Sequence, residues 1–276
     1  MMKLLKGVVV LVGAALAASP TMAADYPPPV YAPSPVAVVE PASIWTGFYV
    51  GLSGGGRWSK VTWTTISVTP APGIPPDFTT TPAYFDNSTG TVGGYFGYDW
   101  QVAPRWVWGL QADFDWGNNG KRQGGVPGTF GSGAPPFATL AAAAVDSSWI
   151  TERWDASVRA RVGFLVASPW LIYGTLGVSM QSIEVGASCA GPPAPSWCTD
   201  IPRYEPTHYA RTGFTYGIGT EAALSHSLFV RLEYRYTYYG FIDNTFFVDP
   251  PTVDDVQTSV KLHTQTLVGG IAYRFN

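Results

Sequence analysis

The chain has 276 residues, of which 46% are hydrophobic, 14% aromatic and only 13% charged, with a formal net charge of −3. A disordered chain would be charge-rich and poor in aromatics, and a general nucleic-acid binder would carry a basic surface, so both classes are excluded. Two cysteines exclude a disulfide scaffold and a Cys-rich zinc protein.

Residues 1–23 read as a secretory signal peptide. Lys3 and Lys6 form the basic start, Gly7 to Ala18 is an apolar or small run, and Thr21-Met22-Ala23 supplies a small-residue cleavage site. The run is too short for a spanning helix, which needs about 20 residues. A short buried helix is the competing reading, and the basic flank and the cleavage site count against it. Export to an oxidising compartment is the expected consequence. Residues 24–43 carry Pro27, Pro28, Pro29, Pro33, Pro35 and Pro41. That density sustains neither a helix nor a sheet ladder and predicts an extended periplasmic linker, a spacer or a docking segment.

The rest, residues 44–276, is expected to form one all-β domain. Eight segments alternate with period two, which suits strands that cross a bilayer. The first runs from Phe48 through Val50 and Leu52 to Trp58, against Tyr49, Gly51, Ser53 and Arg57. The others cover 92–100, 106–116, 154–166, 170–180, 214–224, 228–240 and 264–275. All 24 prolines fall outside these spans, as they should, because proline removes a ladder donor. Within the spans lie six basic and six acidic residues: Arg57, Asp99, Asp113, Asp115, Asp155, Arg159, Arg161, Glu221, Arg231, Glu233, Arg235 and Arg274. Every one falls on the face opposite the apolar residues. A soluble sandwich shows the same parity with apolar faces inward. The leader, the low charge and the Trp and Tyr richness favour a barrel with its apolar face in lipid. The gaps between spans alternate long and short, as in an up-and-down outer-membrane barrel with short periplasmic turns and long extracellular loops.

Particular runs carry a resemblance. Trp45-Thr46-Gly47-Phe48-Tyr49-Val50-Gly51 resembles the first-strand signature of the small outer-membrane β-barrel proteins of alphaproteobacteria. These are the outer-membrane immunogenic or RopB-type porin family, similar to the OmpA transmembrane domain. Gly93 to Gln101, Gly109 to Phe114, Gly217-Ile218-Gly219, Val230 to Tyr234 and the closing Gly269 to Phe275 fit later strands of that family. The resemblance implies an eight-stranded antiparallel transmembrane barrel in the outer membrane with surface-exposed loops. It implies outer-membrane lipid, lipopolysaccharide and other envelope proteins as partners. It also implies that Tyr273 and Phe275, before the final Asn276, are read by the barrel-assembly machinery.

Eight strands enclose a space that side chains can fill. Tyr49, Tyr95, Tyr173, Phe229 and Tyr239 are expected to point inward beside the twelve charges. Equal numbers of both signs predict paired networks, because unpaired buried charges are expensive. Arg159, Arg161, Arg231 and Arg235 are expected to meet Asp113, Asp155, Glu221 and Glu233. Structural filling is the favoured reading of this interior, and a charged conduction path is the other. Trp45, Trp58, Trp100, Trp106, Trp116, Trp154 and Trp170 suit interfacial girdles. Cys189 and Cys198, in the third long loop, are expected to form a disulfide after export.

Gly51-Leu52-Ser53-Gly54-Gly55 matches G-x-S-x-G, but a nucleophile elbow needs a strand-to-helix turn and none follows. His208, His226 and His263 show no metal-ligand spacing. The expected function is that of a non-catalytic envelope component and surface antigen, with small-pore activity left open and no cofactor or metal. The alternatives are a loop-mediated adhesin or ligand receptor and, by analogy of fold, a lipid-modifying barrel enzyme using His208 or His263 with a serine.

Overall fold

A computed structural model describes residues 44–69, 78–129, 145–191, 201–248 and 255–275. The signal peptide and the Pro-rich linker lie outside the described residues. The strands are β1 (Gly47–Thr69), β2 (Ala83–Tyr84), β3 (Asn87–Ala103), β4 (Trp106–Gly124), β5 (Ser147–Ala167), β6 (Trp170–Cys189), β7 (Arg203–Ala223), β8 (Leu228–Phe246) and β9 (Asp255–Phe275). β1 and β3 to β9 pair antiparallel with their sequence neighbours, and β1 pairs with β9 to close the ring. The barrel therefore has eight strands. The ninth, β2, is a two-residue rung against Thr62 and Trp63 of β1.

Closure removes every edge that would leave backbone groups unpaired in lipid. The closing seam runs from Phe48 opposite Phe275 to Thr69 opposite Asp255. Short connections at 104–105, 168–169 and 224–227 gather at one end, where β1 begins and β9 finishes. That end is the turn end, and the opposite one is the loop end.

Exposure settles which face looks outward. Leu52 is 70% exposed, Val92 62% and Ile218 60%, while Arg57, Arg159 and Arg161 are each 1% exposed. A soluble sandwich would show the reverse. On β1 the outward apolar run extends from Phe48 to Trp58. Ten intervals at ~3.3 Å, tilted by ~40°, span about 25 Å, the height of a lipid-facing band.

The strands run beyond the sequence-predicted spans at the loop end: β3 starts at Asn87 rather than 92, and β7 at Arg203 rather than 214. The apolar alternation stops where the outer face leaves lipid, but ladder hydrogen bonds continue in water. Pro206 consequently lies inside β7, where no proline was expected. It sits opposite Gly186 of β6, and β7 pairs with β8 only from Phe214 to Ala223. A missing N–H is tolerated on a stretch paired on one side. Above that point side chains join the two strands. Arg211 donates to the Phe241 carbonyl, the Tyr209 hydroxyl donates to Asn244 Oδ1 at 2.8 Å, and the Phe247 N–H donates to Glu205 at 2.7 Å.

Candidate functional site

The lumen is built from alternate residues of all eight long strands, and it is layered. At the turn end Trp45, Val107, Leu171, Tyr173 and Phe229 form an apolar cap. At the loop end a larger apolar cluster includes Trp63, Phe85, Ile150, Ile183, Phe246 and Val260. Between them lie the charges. All twelve residues singled out from the sequence are buried there.

Near the turn end Arg274 donates to Asp99 at 2.9 Å and Glu221 at 3.0 Å, and Arg161 pairs with Glu221 and Asp99. Arg161 also lies 3.9 Å from the Tyr173 ring centroid and Arg274 4.4 Å from that of Phe229. Further up, Arg159 donates to Glu233 at 2.7 Å, Ser157 at 2.9 Å and Thr175 at 3.1 Å, and pairs with Asp113. Arg235 spans Asp113 and Asp115, and Arg57 pairs with Asp155. Tyr173 donates to Glu233 at 2.9 Å. Arg231 stacks on Tyr95, 3.2 Å from the ring centroid, with Glu233 3.8 Å away.

The expected partners are met in part. Arg159 and Arg235 share Asp113, Arg159 also holds Glu233, and Arg161 holds Glu221. Asp155 takes Arg57 instead, reached from β1 across the lumen past β3 and β4. Two buried acidic residues among the described residues were missed, Asp146 and Glu152. Glu152 accepts from Ser59 at 2.6 Å and Gln181 at 2.7 Å. Counting back by twos from Asp155 puts it in lipid. A register shift between Glu152 and Asp155 flips the parity and brings both inside.

Trp45 was expected in a girdle and is instead 3% exposed, edge-on to Phe229 at 5.2 Å between centroids. It precedes β1 and folds under the lumen, where Arg274 donates to its carbonyl. The girdle tryptophans Trp58, Trp100, Trp106, Trp116 and Trp170 do face outward. Tyr273 and Phe275 also face outward on β9, edge to face at 5.0 Å. Cys189 ends β6 and is disulfide-bonded. Cys198 lies outside the described residues.

Oxygens of Asp113, Asp115 and Asp155 lie within 4.8 Å of one another, a spacing that could suit a cation. Arg57, Arg159 and Arg235 already neutralise all three. Ser53 of the G-x-S-x-G match points into the lumen and donates to Asp115 at 3.2 Å. His208 is exposed on the outer face of β7, with Nδ1 3.7 Å from Glu184, and His263 stacks on Tyr236 of β8 at 5.7 Å. The barrel wall therefore separates Ser53 from both histidines.

A family model described as "Outer membrane protein beta-barrel domain" matches residues 9–275. The chain is 29% identical over 278 residues to the 25 kDa outer-membrane immunogenic protein of Brucella abortus, covering 99% of this chain and all of that one. It is 29% identical over 205 residues to the 22 kDa outer membrane protein of Rhizobium leguminosarum, covering 74% of this chain and 68% of that one. The crystal structure of the outer membrane protein OprG from Pseudomonas aeruginosa aligns with a TM-score of 0.49 at 11% identity, over 84% of this chain and 97% of that one.

Proposed function

The chain belongs to the outer membrane protein β-barrel family, and from that premise we propose that it is a non-catalytic structural component of the outer membrane with a closed lumen. Its long loops stand at the cell surface and act as antigenic sites. The carrying observation is the filled interior: a shared ion-pair network between an apolar cap at the turn end and an apolar cluster at the loop end. A conduction path needs mobile charges along an open route, whereas these guanidinium and carboxylate groups hold one another. The names of the immunogenic Brucella relatives support surface display. In this reading outer-membrane lipid, lipopolysaccharide and other envelope proteins surround the belt. The assembly machinery reads Tyr273 and Phe275 during biogenesis. Reconstitution in planar bilayers tests the closed lumen: the protein inserts silently, and large stable conductance steps would overturn the proposal.

A further inference from the structure

Just above the apolar belt, at the loop end, the outer wall carries a basic patch across the β1–β9 seam. Lys60 of β1 lies opposite His263 of β9, and Lys261 is one outward position further up. Both lysines are exposed. The Lys261 ammonium lies 5.9 Å from the Tyr238 ring centroid and 5.7 Å from that of Phe241. Both lysine charges, and Asp86, reach the His263 imidazole electrostatically. Neither lysine forms a hydrogen bond or an ion pair with the protein among the described residues. This contrasts with the outward-facing Arg153, which pairs with Glu184 at 3.3 Å.

Three outward rows below Lys60, past the Trp58–Gln265 and Gly56–Leu267 pairs, the wall is bare. Gly54 of β1 lies opposite Gly269 of β9, one row above Leu52 and its partners Gly94 and Ile271. A methyl group added at Gly54 would come no nearer than 3.7 Å to a neighbouring atom, and one at Gly269 no nearer than 4.0 Å. The inward glycines differ: at Gly55 a methyl group would fall 1.9 Å from the Leu267 carbonyl oxygen. Packing therefore requires Gly55 but gives no reason for glycine at Gly54 or Gly269. The result is a shallow trough in the lipid face, flanked by Leu52, Val92, Leu232 and Leu267, that ends beneath Trp58 and the two lysines.

We propose that this patch and trough form a binding site for an acidic outer-leaflet glycolipid, its anionic sugar head on Lys60 and Lys261 and an acyl chain along Gly54 and Gly269. Charge complementarity selects the occupant. Two ammonium groups at head-group height, in an ion pair with no carboxylate among the described residues and with the Asp86 carboxylate as the acidic neighbour, attract a phosphate or carboxylate, and a trough in the hydrocarbon region accommodates a chain. A second copy of the barrel would set lysines against lysines. The site stands apart from the lumen and holds whether or not the lumen conducts.

The test is native mass spectrometry of the folded full-length barrel in detergent, titrated with bisphosphorylated lipid A, dephosphorylated lipid A or inorganic phosphate. At about 1 kcal/mol per lysine near a charged membrane surface, Lys60→Gln with Lys261→Gln weakens lipid A binding about thirtyfold. Gly54→Leu with Gly269→Leu fills the trough and also weakens it. Arg105→Gln, at the turn end, leaves it unchanged. Heat-modifiable gel mobility confirms that each variant is folded. Equal binding by the lysine variant, equal affinity for dephosphorylated lipid A, or equal affinity for phosphate alone would overturn the site. So would a lipid-free dimer that the glycine substitutions abolish.

Discussion

Arg235→Met is the sharpest single perturbation of the lumen. Arg235 pairs with both Asp113 and Asp115 and lies 3.6 Å from Glu233. Asp113 and Glu233 keep Arg159, but Asp115 loses the one arginine it is paired with among the described residues and there retains only the Ser53 hydroxyl. Breaking a buried pair from one side costs about 3–5 kcal/mol, because a charge is left uncompensated. At about 1.4 kcal/mol per factor of ten, that lowers the folded-to-unfolded ratio between roughly a hundredfold and a few thousandfold. Asp115→Asn in the same chain removes the stranded charge, so the double variant recovers part of the loss. Urea unfolding of the barrel in vesicles, followed by gel mobility and tryptophan fluorescence, measures all three variants. A loss under about 1 kcal/mol for Arg235→Met, with strictly additive double-variant behaviour, would refute the network's role and imply a well-hydrated lumen.

Two further outcomes follow from the wall. Gly240 sits at the β8 bulge with φ of +76° and nothing near its absent side chain. Gly240→Val should therefore destabilise the barrel by about 1–3 kcal/mol through backbone strain alone, whereas Gly54→Val, on an ordinary strand, should change the urea midpoint little. At the upper β7–β8 seam, Tyr209→Phe removes the hydrogen bond to Asn244, worth about 1 kcal/mol. Amide exchange should rise at 241–247 and stay unchanged in the lipid-embedded rows.

The inner face was legible because lipid punishes a misplaced charge by about 2–4 kcal/mol for Arg or Lys, so parity alone separated twelve residues from their neighbours. The same logic fails wherever the period breaks. Glu152 was lost to a bulge that period two does not encode. Trp45 was misread because it lies before the first strand, where its position is set by the cap it fills. The loop-end extensions were invisible because an outer face in water no longer needs to be apolar. Which arginine meets which carboxylate depends on tilt and stagger around the ring, and that is why Asp155 took Arg57 rather than one of the four arginines expected. The unpartnered lysines emerged only once β9 was laid against β1, since Lys60 and Lys261 are about two hundred residues apart in sequence.

Whether the lumen is shut by its own side chains is measured most directly by comparing two proteins in the same planar bilayers. One is the native chain. The other carries Arg57→Ala, Arg159→Ala, Arg235→Ala and Trp45→Ala together with Trp63→Ala and Phe246→Ala, which open the loop-end cluster as well, with folding confirmed by gel mobility. The closed lumen gives a silent native barrel and discrete ion-conducting openings in the hollowed variant. Openings of the same size and frequency in the native protein would contradict it.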